Sequence, residues 1–265
     1  MTAQPRLASA VMLLRDRETG GEGVEVFMVR RAVQSEFMPD MYVFPGGTVS
    51  ADDRATEGTS GLCRVVVSFE TDPEGRTALG SGCRAAAIRE MFEEANVLLA
   101  YCDEKILAVH ADTVACFAAY RQAFNERKGS LVEMARAEQL TLATDRLAYF
   151  AHWITPGLMQ KRYDTHFFIA TAPEEQEAIA DRLETSGGVW IQPDAALQGF
   201  KQQQFPLAFP TYHQLRDLAV FHSVEEALKV VRARYVATRM PIITEKEGKQ
   251  YLQLPDDDGP DSLWM

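Results

Sequence analysis

The chain has 265 residues, 46% of them hydrophobic and 25% charged, with 27 Lys and Arg against 38 Asp and Glu, a formal net charge of −11. This composition belongs to ordinary globular proteins and excludes the disordered, collagen-like and fibrous classes. The acidic balance disfavours sequence-independent binding to nucleic acid or to anionic membrane, which need a cationic face, so a phosphate-bearing substrate would require a local cation.

In chain order, the apolar stretch Ala8 to Leu14 is too short to span a bilayer and runs straight into Arg15-Asp16-Arg17 with no small-residue cleavage site, so neither a membrane anchor nor a leader is expected. Val11 to Leu14 and Val24 to Val29 read as a strand pair joined by the Gly-rich turn Thr19 to Gly23. Met41 to Phe44 is a third strand candidate, stopped by Pro45-Gly46-Gly47. Residues 50 to 82, rich in Asp, Glu, Gly, Ser and Thr, read as a long surface excursion with one strand-like patch at Val65 to Val67.

From Cys83 to Ala95 the period changes. Ile88, Met91, Phe92, Ala95 and Leu99 fall at i, i+3, i+4, i+7 and i+11, an apolar helical stripe with charge on the opposite side. Asp112 to Arg127 and Ser130 to Gln139 also read as helices. Tyr149 to Ile154 and Tyr163 to Thr171 read as strands around the turn Thr155-Pro156-Gly157, and Val189 to Ile191 as another before a helix opened by Pro193. Thr211 to Ala219 and Val224 to Met240 are predicted mostly helical, and Leu254 to Pro260 is predicted to fray. Cys63, Cys83, Cys102 and Cys116 lie at least 14 residues apart with no C-x-x-C, which argues against a disulfide framework or a zinc ribbon and fits a reducing cytoplasm.

Arg89-Glu90-Met91-Phe92-Glu93-Glu94 carries the chemistry. On a helix Glu90, Glu93 and Glu94 share one face, and like charges so placed repel unless a cation lies among them; hard divalent ions take such oxygen ligands. The plain alternative is a solvated acidic face. Gly46-Gly47 upstream favours the metal, because adjacent glycines after a strand let backbone approach a ligand closely. Arg89 stands four residues before Glu93 and could orient it.

These residues resemble the Nudix hydrolases, whose signature is G-x5-E-x7-R-E-U-x-E-E-x-G-U, with U aliphatic. Arg89 to Val97 matches the second half, with Asn96 in place of the glycine; Gly47 and, six residues on, Asp53 stand for the first half, unless Ser81 is the register equivalent of its acidic position. The two halves stand about 28 residues further apart than in the signature. A box enlarged in this way is similar to the coenzyme A diphosphatase-like branch, and the likeness extends to Arg30-Arg31, Phe37-Met38-Pro39, Val43 to Gly47, Trp153 to Pro156 and Arg162 to Phe168. A coenzyme A motif of related enzymes, L-L-T-x-R-[SA]-x3-R-x3-G-x3-F-P-G-G, aligns at Arg31-Ala32 and Phe44 to Gly47, but Glu36 stands at its second Arg and Asp40 at its Gly.

The resemblance implies an α/β fold, the Nudix α/β/α sandwich with a mixed β-sheet, as a single domain over 1–265 with an insertion in the box at about 50–82, a helical insertion at about 103–148 and a helical C-terminal region at about 206–245. It implies a pyrophosphohydrolase that uses Mg²⁺ or Mn²⁺ and cleaves coenzyme A, acyl-coenzyme A or another nucleoside diphosphate derivative such as NADH, ADP-ribose or a dinucleoside polyphosphate. Glu94, Glu93 and the Gly46 carbonyl would bind the metal, Glu90 would be a further ligand or the general base, and Arg89 would orient Glu93. Arg31, Phe44, Gly47 and Arg162 would contact substrate, although either arginine equally suits a surface ion pair. A further carboxylate is sought among Glu174, Glu175, Glu177 and Glu184, with Glu184 favoured because it precedes a strand. A small-molecule substrate, a homodimer and a cytoplasmic location complete the expectation; the competing class is a ligand-sensing protein that keeps the fold without the activity. The five histidines show no close ligand spacing, and Phe37, Trp153 and Trp190 are assigned to core packing in preference to base stacking.

Overall fold

A computed structural model describes residues 3–18, 21–35, 38–66, 79–181, 185–246 and 249–255. β1 (Arg6–Asp16) and β2 (Val24–Arg31) pair antiparallel, followed by β3 (Tyr42–Val43), β4 (Gly46–Thr48), α1 (Ala51–Gly58) and α2 (Cys83–Ala95). β5 (Ala100–Cys102), β6 (Lys105–Ile106), α3 (Val114–Asn125), α4 (Leu131–Ala137) and β7 (Thr141–Leu142) lead to β8 (Ala148–Ile154), β9 (Tyr163–Thr171) and β10 (Thr185–Ile191). Then come α5 (Pro193–Lys201), α6 (Phe209–Leu218), α7 (Val224–Ala233), β11 (Thr238–Arg239) and the hairpin β12 (Ile242–Lys246) and β13 (Lys249–Gln253).

The main sheet runs β10-β2-β1-β9-β8-β11, with β3 paired to β2 and β4 to β1. It is mixed: β1 lies parallel to β9 and β8 parallel to β11, while the other pairings are antiparallel. β1 is buried without interruption from Ala8 to Leu14, as expected of a strand covered on both faces. Alternation divides its side chains. Val11 and Leu13 pack with Ile88, Met91 and Phe92 of α2; Met12 and Leu14 pack with Leu215, Leu218 and Val231 of α6 and α7. The α/β class and its helical layers agree with the sequence reading.

Several elements depart from the pattern reading. Ala51–Gly58 is a helix packed on α2 where a surface excursion was expected. The polar Ser and Asp that suggested a loop instead form a capping box: Asp53 N–H donates to Ser50 Oγ at 3.1 Å, and Ser50 N–H donates to Asp53 Oδ2 at 2.7 Å. Val65 and Val66 are coil, and Val67 lies outside the described residues. Gly46-Gly47 opens β4 beside β1 rather than merely ending a strand. In the region expected to be helical at 103–148, β6, β7 and the preceding β5 form a small separate sheet. Val224 to Met240 is not continuous helix, since α7 ends at Ala233, Arg234 is extended, and Thr238–Arg239 joins the sheet. Thr19, Gly20 and residues 256 to 260 lie outside the described residues.

Candidate active site

α2 is the structural base of the site. Its N-terminus receives the Glu57 carboxylate of α1, which accepts from the amides of Gly82 and Arg84, both at 2.7 Å, and Ala85 at 2.9 Å. An anion there satisfies otherwise unpaired helical N–H groups and complements the positive end of the helix dipole. At the other end Asn96 adopts φ 62°, the left-handed position that the sequence pattern gives to glycine, and its N–H donates to the Phe92 carbonyl at 3.1 Å. Nothing but the short-range pattern was needed to foresee Asn96; nothing in it pointed to Glu57.

Within α2, Glu90 and Glu94 are buried, and Glu94 Oε2 accepts from the Gly46 amide at 3.0 Å. The contact between Gly46 and the helix is therefore through the N–H. Gly47 lies so close that a Cβ there would stand 2.6 Å from the Glu90 carboxyl carbon, so a larger residue would displace that carboxylate. Gly46 is constrained more strictly, by backbone, since a Cβ there would stand 2.6 Å from the Ser9 carbonyl.

Arg89 ties the acidic groups together. Its Nε donates to Asp53 Oδ1 at 2.9 Å and its Nη2 to Asp53 Oδ2 at 3.0 Å, while Nη1 lies 2.8 Å from both Glu93 Oε1 and Glu90 Oε1. Nη2 also donates to the Thr48 carbonyl at 3.0 Å. Asp53 is fully buried, so it is Asp53 that meets the box arginine despite the long spacing; Ser81 is not needed in that role.

Burial pushes the Glu90 carboxyl up to about 7, with Glu93 adding to the rise and Arg89 opposing it. Burial and the neighbouring Glu90 raise Glu94 well above the usual carboxylate range, against the Gly46 N–H and Arg31. Two buried carboxylates with this mutual repulsion, open to a cleft, form a donor set that suits a hard divalent ion.

The cleft has a volume of about 810 Å³ and is lined by Arg31, Phe44, Gly46, Gly47, Glu93 and Glu94 among others. The Arg31 Nε is buried without a hydrogen-bond partner among the described residues, leaving a cationic group beside the glutamates. Arg162 is not brought to the cleft. Its Nε donates to the Thr155 carbonyl at 3.0 Å and its Nη1 to the Ala3 carbonyl at 2.8 Å, so it fastens the chain edge instead of meeting phosphate. Glu184 lies outside the described residues. Trp153 is buried, as expected, yet also lines the cleft.

Some participants carried no sequence signal. Asp52 lines the cleft and accepts from the Leu131 N–H at 2.6 Å and from Ser130 Oγ at 2.7 Å, anchoring the start of α4 beside the site. The buried Asp181 donates its N–H to the Glu94 carbonyl at 3.0 Å, and its carboxylate contributes to raising Glu94. Asp40, which replaces a motif glycine, has φ 61° and pairs with Arg30 at 2.9 Å. Its backbone thus keeps the glycine-like conformation, and its charge is countered locally.

A family model described as the NUDT19 Nudix domain matches residues 80–218. Among curated proteins, the chain is 24% identical over 268 residues to the acyl-coenzyme A diphosphatase NUDT19 of Xenopus laevis, covering 88% of this chain and 70% of that protein. It is 25% identical over 251 residues to the protein of the same name from Homo sapiens, covering 82% of this chain and 66% of the relative. The chain thus spans about two thirds of the length of these relatives. Among solved structures, a NUDIX hydrolase from Alicyclobacillus acidocaldarius superposes with a TM-score of 0.67 at 22% identity, over 86% of this chain and 97% of the other, a likeness of fold.

Proposed function

The chain belongs to the Nudix hydrolases, in the family of the NUDT19 Nudix domain, and from that premise we propose that it is a metal-dependent pyrophosphohydrolase cleaving the diphosphate of acyl-coenzyme A or coenzyme A. The observation that carries this reading is the pair of buried carboxylates Glu90 and Glu94, held against Gly46-Gly47 on the wall of a cleft of about 810 Å³. The names of the relatives in frog and human support the substrate class.

Glu94, Glu93, Glu90 and the Gly46 carbonyl would hold Mg²⁺ or Mn²⁺. When bound, an ion of this kind neutralises the diphosphate oxygens, polarises phosphorus and lowers the pKa of a coordinated water. The protein's own groups supply the rest. Arg89 fixes the carboxylates of Glu90 and Glu93 from behind, so their orientation does not depend on the substrate. Glu90 would be either a further ligand or the general base that accepts a proton from the attacking water. Arg31 provides a cation for the diphosphate. Met38, Met41, Met159, Phe209 and Leu252 give the same cleft an apolar side that would receive the uncharged arm of the substrate.

Purified protein with Mg²⁺ or Mn²⁺ is to be assayed against coenzyme A, acyl-coenzyme A, NADH and ADP-ribose, with separation of the two phosphorylated halves. Acyl-coenzyme A and coenzyme A are expected to be cleaved with the highest kcat/KM. Preference for NADH or ADP-ribose would replace the substrate assignment, and no turnover of any diphosphate would overturn the hydrolase reading in favour of a ligand sensor.

A further inference from the structure

On the face of the sheet that packs beneath α2, outside the cleft lining, lies a second cluster of ligating side chains. His152 of β8 stands directly across from His166 of β9, and Asp164 is two residues from His166 on the same face. Thr165 and Phe167, on the alternate face of β9, line the cleft; His152, Asp164 and His166 do not. The cluster shares its face with Tyr149 and Phe168, which pack in the core beneath α2. Both imidazoles are buried, and the Asp164 side chain is 30% exposed, leaving one solvent-facing edge.

We propose that His152, Asp164 and His166 form a binding site for a divalent transition ion of the zinc class, separate from the glutamate site. One ligand atom from each of the three residues lies within 4.8 Å of the other two, so an ion among them reaches nitrogen and oxygen ligand distances of about 2.0–2.2 Å once one imidazole turns. The outer nitrogen of each ring is already held by a hydroxyl: His166 Nδ1 shares a hydrogen bond with Tyr149 Oη at 2.7 Å, and His152 Nδ1 with Thr238 Oγ1 at 2.9 Å. A hydroxyl can accept from Nδ1–H, which for His166 leaves the Nε2 lone pair facing Asp164 at 3.7 Å, the arrangement that orients histidine ligands in metal sites.

The rings stack at 4.3 Å with an interplanar angle of 10°, so an ion shared by both nitrogens requires one imidazole to turn. His152 is the ring that can turn, because its hydroxyl partner belongs to β11, a strand of two residues at the sheet edge. His152 Nε2 lies 2.5 Å from Asp164 Oδ1 and shares a proton with it; ion binding would release that proton to solvent and put the metal in its place. Two nitrogens and one carboxylate favour zinc-class ions over Mg²⁺, whereas the glutamate site offers oxygen alone.

The full chain, kept in excess Mg²⁺ to occupy the glutamate site, is to be dialysed against buffered Zn²⁺ and analysed for metal, with a parallel Co²⁺ titration followed by visible absorption. The expected result is one zinc per chain, a raised melting temperature, and the d–d bands of a four-coordinate cobalt site. Asp164→Asn and His152→Gln should lose the bound ion, while Glu94→Gln should retain it. Wild-type protein that binds no zinc under excess Mg²⁺, or zinc binding that is lost in Glu94→Gln and kept in Asp164→Asn, overturns the site. If either cluster variant fails to fold by circular dichroism, the wild-type cobalt spectrum decides: a spectrum without four-coordinate bands also overturns it.

Discussion

Arg89 grips Asp53 with two nitrogens, Nε at 2.9 Å and Nη2 at 3.0 Å from the two carboxylate oxygens, although the residues stand 36 positions apart. Asp53 is fully buried, and the Arg89 side chain is only 12% exposed. Asp53→Ala takes two hydrogen bonds from Arg89, which keeps Glu90 and Glu93, and one from the Ser50 N–H of the capping box, so it is expected to destabilise the protein by about 1–3 kcal/mol. Arg89→Lys keeps charge but loses the two-pronged geometry and should also lower activity by releasing Glu93. Urea unfolding measures the first effect and kcat/KM the second; an Asp53→Ala variant as stable as wild type would refute the structural role of the pair.

Glu94→Gln keeps volume and removes a charge that burial already opposes. Activity should fall by orders of magnitude while the melting temperature of the metal-free protein stays the same or rises. A variant that remains active would show that the carboxylate is not a principal ligand.

The two buried glutamates also set a pH dependence. Their folded-state pKa values lie above the usual 4.5, so between that value and the raised one the folded state binds more protons than the unfolded state, and stability falls as pH rises. In chelator, these two groups should therefore lower the melting temperature between pH 5 and pH 8, against the buried His166, whose lowered pKa acts in the opposite direction. Mg²⁺ or Mn²⁺ should add stability mainly at the higher pH, where the carboxylates are charged and can ligate. Calorimetry of wild type and Glu94→Gln, with and without metal, checks the sign; a chelated wild type that loses no more stability from pH 5 to pH 8 than the variant contradicts the burial of these groups.

The adjacent glycines separate two effects. Gly47→Ala puts a methyl group against the Glu90 carboxylate, so it should impair metal binding and turnover more than folding. Gly46→Ala meets Ala10 and the Ser9 carbonyl inside the sheet and should cost about 1–3 kcal/mol of stability by overpacking. Comparing metal affinity with unfolding free energy for the pair tests the distinction, which equal effects on both would erase.

At the end of α2, Asn96→Ala should cost about 1 kcal/mol, because alanine tolerates the left-handed conformation less well, whereas Asn96→Gly should be close to neutral. Glycine relieves the backbone but loses the hydrogen bond from Asn96 Nδ2 to the Glu177 carbonyl at 3.3 Å. Thermal unfolding of both variants is the measurement.

What the sequence determined by itself was periodic or adjacent in the chain. The stripe Ile88, Met91, Phe92 and Ala95 fixed the helix and its buried face; the i, i+3, i+4 spacing placed Glu90, Glu93 and Glu94 together; and the strands of the mixed sheet followed from short apolar runs. The tertiary structure alone decided which distant groups meet them: Asp53 on Arg89, Glu57 at the start of α2, Asp181 beside Glu94, and Arg162 drawn away to the Thr155 and Ala3 carbonyls. Local pattern reports the face that a residue shows because backbone geometry repeats every few residues. The partner it finds depends on how loops and packed layers bring separate segments together, and no period in the chain encodes that distance.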